Sequence, residues 1–164
     1  MNHTQRGYSA TESRWRSHTT MLTPMLSSLG PALLNTPVII GLNWFLLIYC
    51  TNVISRLLWE RLTKANERSH NGLPASVFVI ITGSLLMVVY DLFLEPAAMR
   101  LDMWSWECVV IPFRNYVGWF FFSTLFHTVT RLWGEEEPNR RAVPLFAVQV
   151  GFFAAIDIFY MLAA

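Results

Sequence analysis

Four apolar runs constrain this chain more than any other feature. They cover about 38–59, 74–95, 115–133 and 142–162, each close to the roughly 20 residues a helix needs to cross a bilayer. A backbone in hydrocarbon must satisfy its own hydrogen bonds, and a helix does so within one segment. A water-soluble bundle is the alternative, but its helices would be amphipathic rather than apolar all round. The expected fold class is therefore all-α: a polytopic transmembrane bundle of about four spanning helices. A helix-breaking aromatic and acidic loop should separate the second from the third.

Composition supports this. The chain has 164 residues, 54% of them hydrophobic and 14% charged, with mean hydropathy +0.38. That excludes a disordered chain. Seven Trp and twelve Phe suit membrane interfaces and apolar packing. A net charge of +1 offers no basic patch for nucleic acid. Cys50 and Cys108 match no metal or redox spacing and read as unpaired packing residues.

Two units are expected. Residues 1–36 form a polar tail followed by an interfacial segment broken by Pro24 and Gly30-Pro31, and residues 37–164 form the transmembrane helical domain. The side with the loops after the first and third runs collects most of the cations: Arg56, Arg61, Lys64, Arg68, Arg131, Arg140 and Arg141. The positive-inside rule places that side in the cytoplasm.

The unusual chemistry lies between the second and third runs, from Asp91 to Trp119. Asp91, Glu95, Asp102 and Glu107 fall within seventeen residues, interleaved with Trp104, Trp106 and Trp119. Asp91 and Glu95 are four apart, so on a helix they share one face. Pro96 disfavours the helical conformation at Glu95 and is expected to end the helix there. Both acids would then occupy the last turn, at the negative end of the helix dipole. Two crowded, desolvated carboxyls should not both ionise, and the one that keeps its proton is a candidate proton donor. The alternative is a structural pair with Arg100 or Arg114. Asp102 and Glu107 read as solvated interfacial charge, and Trp104 and Trp106 as site residues or as part of an aromatic belt.

Polar residues inside apolar helices are costly and often functional. Asn43 lies near the start of the first helix and Asn115 opens the third. Asp157 sits about fifteen residues into the fourth, or roughly 22 Å along its axis. In an antiparallel bundle these groups share one depth with Asp91 and Glu95. Asp157 is read as a third site acid or as the partner of an Asn or Arg on another helix. Asn52, Gln149 and His127 lie deeper, and His127 reads as a hydrogen-bonded structural histidine. No His, Cys or acid spacing suggests a metal.

The string DLFLEPAA, then W-x-W-E, then IPFRNYVGW resembles the carotenoid biosynthesis membrane proteins, the family that includes the carotenoid 1,2-hydratases of the bisanhydrobacterioruberin hydratase type. The matching residues are Asp91, Glu95 and Pro96; Trp104 and Trp106; and Ile111, Pro112, Asn115, Tyr116, Gly118 and Trp119. Pro37 and Trp44 look like the family's approach to an earlier helix. The resemblance covers about residues 35–164. The chain departs from the family pattern at Ile111 and Arg114, and where family members have further membrane helices it has a short tail.

The resemblance implies a cofactor-independent hydratase acting on the acyclic end of a carotenoid or other long isoprenoid. A carboxyl group would protonate the terminal C=C, and water would add to the resulting cation. The implied catalytic residues are Asp91, Glu95 and Asp157. Those implied at the substrate are Asn43, Trp44, Trp104, Trp106, Asn115 and Trp119, and no metal is implied. The alternatives are a non-catalytic carotenoid-binding or scaffold protein, or an end-group cyclase. Expected partners are the lipid bilayer and other enzymes of the pathway or a second copy of the chain, with no nucleic acid. The expected location is multi-pass in a bacterial plasma membrane.

Overall fold

The apolar runs do form helices. The computed structural model describes residues 32–33, 36–63, 72–104, 106, 110–133 and 139–163. The expected tail, the loops at 64–71 and 134–138, and Glu107 and Cys108 lie outside these residues. Two short strands, β1 (Ala32–Leu33) and β2 (Thr36–Pro37), pair antiparallel, Leu33 opposite Thr36. Four helices follow: α1 (Val38–Thr63), α2 (Leu73–Arg100), α3 (Phe113–Trp133) and α4 (Ala142–Ala163).

Helices α1, α2 and α4 are long and apolar enough to cross a membrane. Helix α3 has 21 residues, about 31 Å, but carries more polar side chains. The reason is visible in the packing: its polar face is turned inward. Ser123 and His127 are fully buried, and Thr124 Oγ1 lies 3.1 Å from Ser84 Oγ of α2. Arg131 Nη2 donates to Ser76 Oγ of α2 at 2.8 Å, and Asn52 of α1 donates to Thr130 at 3.0 Å. Phe121, Phe122 and Leu125 point outward. Helix α2 is the hub and packs against all three other helices.

Buried hydroxyls satisfy themselves locally. Thr51, Ser55, Ser84, Ser123 and Thr124 each donate to the carbonyl four residues earlier, so none is left bare in the apolar interior. Between them, His127 of α3 lies across Gly83 of α2. Its Nδ1 donates to the Ser123 carbonyl at 2.8 Å, since a carbonyl only accepts, and Nε2 lies 3.0 Å from Thr51 Oγ1 of α1. The structural reading of His127 matches this geometry.

The expected helix end at Glu95 is corrected. Pro96 stands inside α2, which runs on to Arg100. Pro96 removes one donor, yet Ala97 and Ala98 are wholly buried, and their packing carries the helix past the preference of one residue. The true end is a Schellman turn. Met103 N donates to Ala98 O at 2.9 Å and Asp102 N to Met99 O at 3.2 Å. Asp102 is the left-handed residue, with φ 54°, a conformation Asp tolerates better than most. Asp91 and Glu95 thus lie more than a turn from the C-terminus, where the dipole has largely faded.

Two outcomes are expected. Cysteines at Arg140 and Val110, both exposed, should react with a membrane-impermeant thiol reagent from opposite sides; reaction from one side would show that α3 does not span. At Gly83 an added Cβ would overlap the His127 ring, coming within 2.6 Å of Cδ2. Gly83→Ala should therefore cost about 1–3 kcal/mol by thermal unfolding in detergent, and His127→Ala in the same chain should recover part of it.

Candidate functional site

Asp91 and Glu95 sit one turn apart on the buried face of α2, at 0% and 3% exposure. Around them the chain gathers N–H donors rather than cations. Past the Schellman turn it doubles back, and Trp104 and Trp106 both aim their indole Nε1–H at Glu95 Oε2, at 2.8 and 2.7 Å. Asn115 of α3 spends one amide group on both acids. Its Nδ2 donates to Asp91 Oδ2 at 2.8 Å and to Glu95 Oε1 at 2.9 Å. Pro112 sets this up, because its carbonyl accepts the Asn115 N–H at 2.8 Å and starts α3 with Asn115 in the first turn.

Both oxygens of Glu95 are therefore filled, by three donors in all. Asp91 has one donor, and its Oδ1 is buried with no partner among the described residues. Neither acid forms an ion pair among those residues. Arg100, one of the two expected partners, reaches instead to Asp157 of α4. Its Nη1 donates to Asp157 Oδ1 and, at 3.2 Å, to the Asp157 carbonyl. Arg114 is exposed.

The shared polar layer expected from spacing thus resolves into separate contacts. Asp91, Glu95, Asn115, Trp104 and Trp106 come together. Asp157 lies at the same end of the bundle but is tied to Arg100. Asn43 donates to Tyr90 Oη at 3.2 Å, next in sequence to Asp91. Trp44 stacks on Trp119 with centroids 4.4 Å apart at 31°. Trp119 follows Asn115 by one turn of α3, so the aromatic pair lies one turn deeper than the amide.

Sequence reasoning missed Tyr90. It is 1% exposed, and its ring lies 6.3 Å from Trp119, 6.2 Å from Phe146 and 5.7 Å from Phe153, where all four helices meet. A phenol beside Asp91 in an otherwise aliphatic run was the available signal. A recess of about 200 Å³ lined by Leu57, Glu60, Arg61, Arg140 and Val143 opens at the opposite end of the bundle and contains none of these groups. Among the described residues no cluster of His, Cys, Asp and Glu could hold a metal ion.

A family model described as carotenoid biosynthesis protein matches residues 25–164. The chain belongs to the carotenoid biosynthesis protein family. Comparison with curated proteins and with solved structures gave no match. Within this family member, the three sequence strings that carried the resemblance meet at one place. The helix with Asp91 and Glu95, the turn with Trp104 and Trp106, and the start of the helix with Asn115 close on the two acids.

The Arg100–Asp157 pair can be tested separately. With side chains 29% and 11% exposed, it should contribute less than the roughly 3–5 kcal/mol lost when a fully buried pair is broken. Asp157→Leu alone should lower the melting temperature, and adding Arg100→Met should restore most of the loss, because an apolar pair of similar volume strands no charge. If the double variant is no better than the single, the two residues are not energetically coupled.

Proposed function

We propose that this protein hydrates the acyclic end group of a carotenoid, with Asp91 as the proton donor. The reading is supported by one observation: a buried carboxyl oxygen with no partner among the described residues, Asp91 Oδ1, beside a carboxyl group, Glu95, held by three donors. Membership of a carotenoid biosynthesis family supports a polyene as the substrate. Three apolar helices able to cross a membrane support a reaction on a molecule that stays in the bilayer.

The chemistry balances within the site. Asp91 passes its proton to the less substituted carbon of the terminal C=C, leaving a carboxylate and a tertiary carbocation. Glu95, already anionic, opposes that charge, and so does the newly ionised Asp91. Water adds its oxygen to the cation and returns a proton to Asp91, so the net change is the addition of one water. No oxidant or reductant is consumed. The Trp44–Trp119 stack offers a π face to the polyene or its cation. Trp104 and Trp106 act on Glu95 through their N–H groups. That role differs from the direct substrate contact that the family resemblance implies for them. Asp157, engaged by Arg100, serves the bundle rather than the proton transfer.

Expression in cells that accumulate an acyclic carotenoid, followed by mass spectrometry of the pigments, tests this reading. The expected product is heavier by one water. An isomer of equal mass would instead indicate a cyclase, and unchanged pigment would leave a binding or scaffold protein. Asp91→Asn keeps the shape and the Asn115 contact but has no carboxyl proton to give. It should reduce product on the order of 10²–10⁴-fold while the protein accumulates normally. Full product from Asp91→Asn would remove Asp91 from the reaction.

A further inference from the structure

Two carboxyls one turn apart on the same helix face could hold a single proton in either of two places. We infer that Asn115, with Trp104 and Trp106, is a positioning device that confines the proton to Asp91 and the negative charge to Glu95. The inference deepens the reading of the pair as the proton source and rests on it for its purpose, but its geometry stands independently.

The pair has four carboxyl oxygens, and three have partners that can only donate. Glu95 Oε2 faces two indole N–H groups. Glu95 Oε1 and Asp91 Oδ2 each face the Asn115 amide nitrogen. An indole nitrogen and an amide NH₂ accept nothing, so a proton on Glu95 Oε2 would displace a bond, and one on Glu95 Oε1 or Asp91 Oδ2 would weaken the bond that oxygen already accepts. Among the described residues, Asp91 Oδ1 is the one oxygen of the four with no donor against it. A hydrogen there displaces no existing bond.

The donor count favours the same arrangement. Hydrogen bonds to a charged group are stronger than those between neutral groups, so three donors on Glu95 outweigh one on Asp91 as a host for charge. The surrounding ionisable groups do not reverse this. Arg100 and Asp157 are engaged with each other, and Arg114 is exposed. Tyr116, in the same turn of α3 as Asn115, is close enough to feel both acids, and as a neutral phenol it supplies no cation.

The indoles are what make the two acids unequal. Asn115 gives each acid one N–H and ties them together, whereas Trp104 and Trp106 add two donors to Glu95 alone. Without them, Glu95 Oε2 would be as bare as Asp91 Oδ1. Removing the indole N–H groups should therefore release the proton from Asp91 alone to both acids, and a merely structural role for the two rings makes no such prediction.

Infrared spectroscopy of the full chain in lipid nanodiscs at neutral pH reads this directly through the C=O stretch of a protonated carboxyl. The wild-type protein should show that band, and Asp91→Asn should abolish it. In the Trp104→Phe, Trp106→Phe background, where each acid keeps one Asn115 donor and one bare oxygen, the proton should be shared: part of the band should survive Asp91→Asn, and Glu95→Gln should remove part of it. If that background does not fold, the Trp106→Phe single variant should lie between this and the wild type, with a smaller remnant of the band after Asp91→Asn. Asn115→Leu bares Asp91 Oδ2 and Glu95 Oε1 as well, so the band should split or broaden. No band in the wild type, a band that survives Asp91→Asn, or a band that follows Asp91 with or without the indoles would overturn the inference. An unchanged band in Asn115→Leu would remove Asn115 from it. The pigment assay separates this from the functional reading. Water-free product with the band on Asp91 sinks hydration alone; hydrated product with the band elsewhere sinks the proton assignment alone.

Discussion

A buried carboxyl group in an apolar helix bundle has to find its hydrogen-bond partners within the protein, and much of this structure follows from supplying them to Glu95. Its three donors come from two places outside α2: the returning loop and the first turn of α3. The chain must therefore leave α2, reverse, and come back within nine residues to deliver Trp104. The Schellman turn at Asp102 performs the reversal, and running the helix on past Pro96 to Arg100 puts that turn at the right height. The continuation also carries Arg100 to Asp157 of α4. One helical extension thus serves the loop, the acid pair and the docking of α4.

Asn115 closes the arrangement from the other side. Because its amide reaches both acids, the start of α3 is registered against α2 to within a hydrogen-bond length. Three turns further along, His127 over Gly83 repeats the registration with neutral groups. The first contact concentrates ionisable groups with one oxygen left bare. The second is close-packed, with both ring nitrogens of His127 within hydrogen-bond distance of a polar group, which suits helix association in a medium that offers little hydrophobic drive. The polar groups of the proposed site and the His127 contact are separated along the same helix pair.

The bundle's aromatic centre joins the two. Tyr90, fully buried, is held by Asn43 and ringed by Trp119, Phe146 and Phe153. It fixes the height of α1 and α4 against the residue preceding Asp91. The acid pair is therefore supported by all four helices, although its hydrogen-bond donors come from the loop after α2 and the first turn of α3.

The helical class, the four elements and the importance of the stretch from Asp91 to Trp119 were legible in the chain itself. Run length and apolarity are local properties, and a backbone in hydrocarbon has few conformations open to it. Asp91, Glu95 and Asn115 were also legible, because a polar residue in an apolar run is conspicuous wherever the helix packs. Three things were decided only by tertiary structure. Pro96 did not end the helix, since the burial of Ala97 and Ala98 outweighed a one-residue preference. Arg100 chose Asp157 over the nearer acids, because which charges meet depends on helix rotation and not on spacing. The indoles of Trp104 and Trp106 turned their N–H groups on Glu95, a contact set by the reversal at Asp102. A pattern of residue types shows that carboxyls and indoles lie close together, but only the fold decides which atom of each faces the other.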